Sequence, residues 1–439
     1  MKLQCEGCGW TVTPGPDHPF PFQCGGARLD DDIDHLLVPL DAGALEANAL
    51  SAINPFVQFR TATLAYGVAR QHGLSDADYC RLVETLDARV AEVDGAGFAV
   101  TPYGPRPELA GAVGLTDPEG LWVKDETGHV AGSHKARHLM GVALYLEVCR
   151  RLGWFDARPR LAIASCGNAA LAAAVVARAA GYALDVYIPV AASPAVVARL
   201  TALGASIHRC PRRPQEAGDP CYLRFLEAVT AGAVPFCCQG PACGLTLDGG
   251  RTLGFELALG MPKSGGLTDV VIQVGGGAFA SAVIRAYEDL VAWGIVHQPP
   301  RFHTVQTEGA APLRRAWKRM ADDISETGSI EEGARRGYGE RGRYMWAWEE
   351  EPRSVASGIL DDETYDWHRV VVGMLHTGGR SVVVSEARLV AAQALIRDHV
   401  GLRASATGTA GLAGLTHLLD HGDVERSARV GLIVSGIER

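Results

Sequence analysis

The feature that most constrains the fold of this chain is a regular alternation of short apolar segments with Ala- and Leu-rich segments after Gly95. The short segments, such as Leu161–Ala164 and Val270–Val274, have the length and composition of buried strands. The longer ones, such as Ala169–Ala180, have the length of helices. Strand–helix alternation over about 340 residues predicts an α/β architecture, with parallel sheets covered by helices.

The alternation can be divided into elements. We predict strands at Leu121–Val123, Leu161–Ala164, Leu184–Ile188, Val270–Val274, Phe302–Gln306 and Val430–Val434. We predict helices at Lys135–Leu152, Ala169–Ala180, Pro194–Leu203, Arg251–Leu259, Ala280–Trp293 and Glu386–His399. Residues 34–93 are also predicted to be helical, because the apolar residues of Arg60–His72 and Asp76–Val93 recur every three or four positions and Ser75 offers an N-cap.

Composition limits the classes of function. The chain has 439 residues, 47% hydrophobic and 21% charged, which excludes wholesale disorder. A formal net charge of -9 argues against an extended nucleic-acid surface. The amino terminus lacks an apolar signal segment, and the longest apolar stretch is too short to span a membrane, so no membrane partner is expected. Most of the 11 cysteines stand singly in apolar runs, which indicates reduced thiols and a cytoplasmic location.

Two strand-to-helix junctions carry side chains suited to chemistry. Gly132-Ser133-His134-Lys135 places a lysine at a helix start, where the helix dipole disfavours a cation and an imine is less penalised. A lysine that is merely solvated fits the same pattern. Ser165-Cys166-Gly167-Asn168 combines free backbone N–H groups with short polar side chains, which suits a carboxylate or phosphate. A simple helix cap fits that pattern equally well.

A third junction, Gly275-Gly276-Gly277-Ala278, follows a buried strand. Its glycines permit a tight turn in which successive N–H groups point at one anion. The stretch lacks the Gly-x-Gly-x-x-Gly spacing of dinucleotide loops and the Lys-Ser/Thr of ATP-binding loops. Glycine makes up 52 residues, above the usual share, which fits backbone lying close to a ligand. We therefore favour a phosphate cradle over a turn without a ligand.

In this order and at these separations, the three junctions resemble those of fold-type II pyridoxal-phosphate enzymes, the tryptophan-synthase-β superfamily. The threonine synthase and threonine dehydratase branch is the most similar. The resemblance covers roughly residues 96–439. It implies a two-lobed α/β fold with the active site between the lobes, pyridoxal 5'-phosphate as cofactor, an amino acid as substrate and a homodimer.

The resemblance also implies roles for single residues. Lys135 would form the internal aldimine with the cofactor and, once released by the substrate amine, would act as general base at Cα. Residues 275–278 would hold the phosphate, and Ser435 would face the pyridine nitrogen. Residues 165–168 would bind the substrate carboxylate, with Asn168 also near the cofactor's 3'-oxygen.

The expected partner of the pyridine nitrogen indicates the type of reaction. A hydroxyl group such as that of Ser435 cannot keep the nitrogen protonated as an Asp would, so the ring withdraws electrons less strongly. A carbanion at Cα would then expel a β-substituent, which favours elimination or replacement over transamination. By the same resemblance, Cys166 lies on the opposite face of the cofactor, as a second acid/base or as a small passive residue.

Departures from the family pattern leave the substrate open. Ser133-His134-Lys135 stands where relatives carry Ser-Phe-Lys, so His134 either contacts substrate or packs beside the ring. The Asp that follows the lysine in threonine synthases is absent from Ala136-Arg137-His138, and the tri-glycine loop is dehydratase-like instead. Residues 403–407 lack the Glu-Pro of dehydratases.

Cys5-Glu6-Gly7-Cys8 together with Cys24 resembles the zinc-ribbon-like extension of some threonine synthases. A structural zinc site needs four ligands. After Cys5, Cys8 and Cys24, the fourth would have to be His18 or Asp30. Either these residues bind zinc, or the turn is a metal-free relic.

These observations predict a zinc-ribbon-like knuckle at 1–28 and a helical extension at 29–95. They also predict a large cofactor-binding lobe at 96–132 and 246–439, and a small substrate-closing lobe at 133–245. The charged stretch 321–351, a helical excursion, would shape substrate entry or form a dimer contact.

The expected reaction is β-elimination from a hydroxyamino acid, as in threonine or serine ammonia-lyases. A threonine-synthase-like or other β/γ-replacement enzyme is the alternative. A non-catalytic scaffold that binds the cofactor or nucleic acid is a third possibility, against which the net charge and the intact Lys135 both count.

Overall fold

The computed structural model describes residues 1–28, 30–40, 43–46, 52–216, 218–262 and 265–439. Residues 41–42 and 47–51 of the segment predicted to be helical lie outside the described residues. Within the described part of the chain, no helix combines the length and apolar character needed to cross a bilayer.

The described strands and helices alternate after residue 95, as predicted. The strands are β1 Leu3–Cys5, β2 Thr11–Val12, β3 Leu37–Pro39, β4 Tyr103–Pro105, β5 Leu121–Asp125, β6 Leu161–Ala164, β7 Leu184–Ile188, β8 Ser206–Arg209, β9 Val234–Pro235, β10 Asp269–Gln273, β11 Arg301–Thr307, β12 Ser381–Val384 and β13 Val430–Val434. The helices are α1 Pro55–Gln58, α2 Leu64–Gln71, α3 Asp76–Asp94, α4 Pro107–Val113, α5 Lys135–Arg151, α6 Asn168–Ala180, α7 Pro194–Ala202, α8 Pro220–Thr230, α9 Thr246–Leu259, α10 Ala278–Ala292, α11 Pro312–Thr327, α12 Ile330–Gly339, α13 Arg341–Tyr344, α14 Trp367–Thr377, α15 Glu386–Val400 and α16 Ala406–Asp420.

The larger sheet has six strands in the order β12-β11-β10-β13-β5-β4. Its neighbours are parallel except for the pair β4 and β5 at one edge. The central strands β10 and β13 are buried along their whole length, which explains why they appear in the sequence as continuous apolar runs. The carboxyl ends of these strands point to one edge, where ligands bind in open α/β sheets.

A second sheet of four parallel strands has the order β8-β7-β6-β9. Its strands come from residues 161–235, whereas those of the six-stranded sheet come from residues 103–125 and 269–434. This mixed architecture with parallel sheets confirms the predicted α/β fold class. The exact boundaries of the two lobes remain a prediction.

The amino-terminal region differs from the prediction in one place. Leu37–Pro39 forms strand β3, although residues 34–93 were predicted to be helical. The strand pairs antiparallel with β1, Cys5 facing Leu37, and β1 also pairs with β2. Consecutive burial of Leu36, Leu37 and Val38 suits a strand, and Pro39 cannot donate a helical hydrogen bond. The later part of the segment does contain α1 to α3, and α3 begins with a capping box at Ser75.

The charged excursion 321–351 comprises the carboxyl-terminal part of α11 together with α12 and α13. At its end the Arg315 guanidinium lies 3.6 Å from the ring centroid of Trp346, a cation–π contact. The backbone N–H of Trp348 then donates to the carbonyl of Asp362 at 2.8 Å. The excursion therefore supports the segment 352–366, which leads to the site described next.

Candidate active site

A cavity of about 440 Å³ lies at the carboxyl ends of β6, β10 and β13. It brings all three sequence-predicted junctions together. The predicted residues that line it are His134, Lys135, Ser165, Cys166, Gly167, Asn168, Gly275, Gly276, Gly277 and Ser435. Ala278, the remaining residue predicted to hold phosphate, is buried at the start of α10 and does not line the cavity.

Lys135 is the first residue of helix α5 and is half-buried at the cavity wall. Its amino group forms no hydrogen bond or ion pair with the part of the chain that the structure describes. A primary amine that faces a cavity without a partner is available to condense with an aldehyde.

A fully buried ion cluster, which we call the paired cluster, fixes the start of α5. It consists of Lys124, Glu126, Arg137 and Glu256. Arg137 binds Glu126 at 2.9 Å and Glu256 at 2.6 Å, and Lys124 binds Glu256 at 2.5 Å. Although burial alone raises it, the pKa of Glu126 is lowered to about 2 by the Arg137 guanidinium. All four charges are matched, and Arg137 stands only two residues after Lys135.

The Ser165–Asn168 loop joins β6 to α6. The Ser165 hydroxyl accepts a hydrogen bond from the Gly167 amide at 3.4 Å. Asn168 opens the helix, and its side-chain oxygen accepts from the Arg439 guanidinium, a contact that the sequence did not predict. Within the described residues, this leaves the Asn168 side-chain NH2 group as a free donor of the loop.

Cys166 is exposed at the cavity. Desolvation within the cavity raises the pKa of its thiol, and the carboxylates of Asp219 and Asp361 raise it further. Cys166 is therefore a protonated thiol at neutral pH rather than a thiolate. Its predicted role as a second acid/base stays a prediction.

The tri-glycine loop needs its glycines for two reasons. Gly277 has φ +94, in the left-handed region, and an added Cβ there would lie 2.8 Å from Thr364 Cγ2. A Cβ on Gly275 would overlap the Asp361 carboxylate. The Asp361 carboxylate in turn accepts a hydrogen bond from the Gly276 amide. The loop thus presents an amide to an anionic oxygen, the property expected of a phosphate cradle.

Ser435 directly follows β13 and is 3% exposed. Its hydroxyl accepts from the backbone N–H of His134 at 3.0 Å and lies 2.5 Å from His134 Nδ1. Nothing in the sequence indicated this pairing, because the two residues are 301 positions apart. His134, for which both a contact with substrate and packing beside the ring were predicted, lines the cavity and also contacts Ser435, and its role toward substrate stays a prediction.

Three carboxylates were missed by the sequence analysis: Asp219, Asp361 and Asp362 also line the cavity. None of them forms an ion pair within the described residues. Burial raises the pKa of Asp361 to about 6, even though the Lys135 amine opposes the change. Burial, together with the neighbouring carboxylate of Glu363, raises the pKa of Asp362 to about 6. We call Asp219, Asp361 and Asp362, with the adjacent Asp366, the unpaired cluster.

The site can be compared with known proteins. Residues 96–436 match a family described as pyridoxal-phosphate dependent enzyme. This match covers most of the chain. The protein belongs to that family. The predicted recognition and the predicted enzymatic nature are thereby confirmed, which leaves the scaffold hypothesis without support.

Two curated relatives are threonine synthases. That of Methanosarcina acetivorans is 24% identical over 342 residues, 76% of this chain and 74% of the relative. That of Methanocaldococcus jannaschii is 22% identical over 191 residues, 43% of this chain and only 41% of the relative.

Two solved structures show the same fold. Processed threonine deaminase isoform 2 of Solanum lycopersicum has a TM-score of 0.59 at 15% identity, covering 91% of this chain and 95% of that one. Diaminopropionate ammonia lyase of Escherichia coli has a TM-score of 0.60 at 16% identity, covering 82% and 88%.

The residues present fit pyridoxal phosphate. Lys135 offers an unpartnered amine, the tri-glycine loop already holds an anionic oxygen on an amide, and the Ser435 hydroxyl is buried at the cavity wall. These three groups match the aldehyde, the phosphate and the ring nitrogen of that cofactor.

A second group could hold a metal ion. Cys5, Cys8, Cys24 and His35 each place one ligand atom within 4.8 Å of the others. The predicted fourth ligands were wrong: His18 closes a turn onto Gly15, and neither His18 nor Asp30 joins the group. His35 takes the position because β3 pairs with β1 and returns the chain to Cys5.

Proposed function

We propose that this protein is a pyridoxal-phosphate-dependent amino-acid lyase that eliminates a β-substituent, with Lys135 as the residue that moves the α-proton. The observation that carries the proposal is the convergence of Lys135, the tri-glycine loop, the Ser165–Asn168 loop and Ser435 on one cavity. The cofactor supplies an aldehyde that condenses with amines and a ring that accepts electrons from Cα.

Side chains and backbone amides of the protein bind the substrate and the cofactor and move the proton. The amides of residues 165–168 and the Asn168 side chain bind the substrate carboxylate, as expected at a helix start. Residues 275–278 would hold the phosphate through their amides, that of Gly276 once the Asp361 carboxylate no longer accepts from it. Lys135 takes the proton from Cα, and a proton must reach the leaving group. The Ser435 hydroxyl, a neutral partner of the ring nitrogen, favours elimination over transamination.

The first substrate class is a hydroxyamino acid, L-serine or L-threonine. Incubation with L-threonine should yield 2-oxobutyrate and ammonia in equal amounts, and Lys135→Ala should abolish the product. If no 2-oxo acid forms from either substrate at any enzyme concentration, this substrate class is wrong. A product that appears only with a phosphorylated homoserine would instead establish the threonine-synthase-like alternative, which the two curated relatives favour.

The unpaired cluster favours a second substrate class, amino acids with a second amino group. Three carboxylates line the cavity beside two cations, Lys135 and Arg212, and none of the three forms an ion pair within the described residues, which favours a ligand that brings an ammonium group. The E. coli neighbour is named for such a substrate, diaminopropionate. Elimination of ammonia from 2,3-diaminopropionate gives two ammonia molecules per pyruvate, whereas serine gives one. Initial rates with each substrate alone therefore separate the two classes, and the ratio of ammonia to pyruvate verifies the reaction. Asp362→Asn should lower the rate with 2,3-diaminopropionate more than the rate with L-serine, whereas Glu349→Gln, which does not line the cavity, is the matched charge control.

We also propose that Cys5, Cys8, Cys24 and His35 bind one zinc ion that stabilises the amino-terminal sheet. The Sγ atoms of Cys8 and Cys24 are 3.5 Å apart, near the roughly 3.8 Å of two sulfurs on a tetrahedral zinc. His35 Nδ1 lies 3.4 Å from Cys5 Sγ, and Nε2 faces the Asp31 carboxylate at 3.1 Å. A carboxylate on the second ring nitrogen is the usual support of a zinc-bound histidine.

Metal analysis of the purified protein tests this site. One zinc per chain is expected, with loss in Cys8→Ser and His35→Ala. His18→Ala is the matched control, since His18 lies outside the cluster, and should keep the metal. Zinc retained in His35→Ala, or lost equally in His18→Ala, would contradict the assignment.

The predicted lobes and the homodimer belong to the same proposal. The small lobe, 133–245, would carry the Ser165–Asn168 loop toward the large lobe when substrate binds. Small-angle scattering with and without substrate should show a decrease in the radius of gyration, and light scattering should give twice the chain mass. An unchanged radius of gyration would contradict the movement of the small lobe. A mass of one chain would contradict the homodimer.

A further inference from the structure

The hydroxyl of Ser435 is held from two directions by one residue. The backbone N–H of His134 donates to Ser435 Oγ at 3.0 Å, and the ring atom Nδ1 lies 2.5 Å from the same oxygen. The backbone N–H of Ser435 donates to the carbonyl of Gly408 at 3.2 Å, which fixes the main chain. The serine oxygen therefore has a fixed position, and only its own hydrogen remains to be placed.

The His134 ring is firmly packed and electrically neutral. It is 8% exposed and stacks on Phe279, with 4.0 Å between the ring centroids and 22° between the planes. Burial holds the pKa of His134 well below its usual value, and the neighbouring Lys135 lowers it further. A neutral imidazole carries one N–H, on either Nδ1 or Nε2.

The surroundings of Nε2 decide between the two tautomers. Nε2 is buried and has no hydrogen-bond partner within the described residues. A proton on Nε2 would leave a buried donor unsatisfied, which is rare in folded proteins. With the proton on Nδ1, the ring donates to Ser435 Oγ, and only an acceptor is left without a partner. The Nδ1–H tautomer is therefore the favoured one.

We propose that His134 is a positioning residue that makes Ser435 a hydrogen-bond donor to the cavity. Its ring Nδ1–H and its backbone N–H fill both acceptor sites of the serine oxygen, so the serine hydrogen points at the bound group. The donor then faces an unprotonated ring nitrogen. This rests on the proposed function, because it assigns the direction of one hydrogen bond to the proposed cofactor.

The first test needs no bound cofactor. In the full chain labelled with ¹⁵N-histidine and stripped of cofactor, the ring signals that disappear in His134→Phe belong to His134. Their ¹⁵N chemical shifts should show the proton on Nδ1. A proton on Nε2 would make Ser435 the donor to His134 and would overturn the proposal.

The second test measures the dissociation constant for pyridoxal phosphate by fluorescence titration. His134→Phe keeps the stacked ring but removes the Nδ1 donor, and should weaken binding roughly three- to tenfold, the loss of one hydrogen bond. His134→Asn restores a donor near the Nδ1 position and should stay within about twofold of wild type. Equal weakening in the Phe and Asn variants would contradict the positioning role.

A double-mutant cycle shows whether His134 acts through Ser435. Ser435→Ala should weaken binding about as much as His134→Phe, and the double variant should show no further loss. Fully additive losses would overturn the proposal. If the wild-type protein does not bind the cofactor, the proposed function fails, whereas the tautomer measured in the cofactor-free chain still decides the hydrogen-bond direction by itself.

Discussion

Two groups of charged side chains lie near the start of helix α5, and they differ in how their charges are matched. In the paired cluster, the two cations Lys124 and Arg137 are matched by two carboxylates at 2.5 to 2.9 Å. In the unpaired cluster, none of the four carboxylates forms an ion pair within the described residues, and burial raises the pKa of Asp366 to about 7 although the Lys135 amine opposes the rise.

The difference separates structure from ligand binding. A buried charge with all partners present holds neighbouring elements in one arrangement, whereas a buried charge without a partner costs stability until a ligand supplies one. The paired cluster thus fixes the helix that carries Lys135. The unpaired cluster keeps negative potential in the cavity for a ligand. Substitutions should therefore act in opposite directions in the two clusters.

Arg137→Met should give the largest effect. Removing the guanidinium leaves Glu126 and Glu256 buried with only Lys124, which should cost about 3–5 kcal/mol in the free energy of unfolding. Urea denaturation followed by circular dichroism measures this loss. Arg150→Met is the control, since its pair with Glu147 is partly exposed and should contribute less than about 1 kcal/mol. Equal effects of the two substitutions would contradict the distinction between the clusters.

Asp366→Asn should stabilise the protein at pH 8. Its folded pKa of about 7 lies above the roughly 3.9 of an unfolded Asp, so wild-type stability falls as the pH rises between these values. The variant should gain about 2 kcal/mol at pH 8, and the gain should shrink toward pH 4. Melting temperatures across this range provide the measurement. A pH-independent difference, or a loss at pH 8, would show that the hydrogen bond from the Gly240 amide to Asp366 Oδ2 outweighs the cost of burying the charge.

Asp361→Asn should have the smallest effect, about 1 kcal/mol, or roughly fivefold tighter binding of pyridoxal phosphate at pH 8. Its carboxylate occupies the Gly276 amide and would repel the phosphate. Because the pKa of Asp361 is about 6, the advantage should disappear near pH 5, where the wild-type group is protonated. Titrations at both pH values measure this. Asp362→Asn is the control, and an equal gain there would show general charge reduction instead.

Local features of the sequence were sufficient to predict the family, the fold class and the three strand-to-helix junctions whose residues line the cavity. Those motifs are continuous in sequence, so their position at strand ends follows from the alternation of elements. The amide of Gly276 and the amine of Lys135 could be assigned in this way. Contacts that join distant residues could not, since no local pattern encodes them. The pairing of His134 with Ser435 and the matching of Arg137 to Glu256 belong to this class.

The fourth ligand of the amino-terminal cluster shows a different limit. His35 was missed because residues 34–39 were assigned to a helix, and a wrong element type removes every contact that depends on it. The short apolar run before Pro39 allowed either assignment. The register between β1 and β3, which no single segment encodes, decided it.

The close contact between Gly275 and Asp361 limits which residues position 275 can accept during evolution. A side chain at position 275 would meet the Asp361 carboxylate and the backbone of Ile359, whether or not a phosphate is ever bound. A descendant that had abandoned the cofactor would thus still be under selection to keep this glycine. In such lineages the loss of Lys135, rather than any change in the glycines, would be the first genetic trace of lost catalysis.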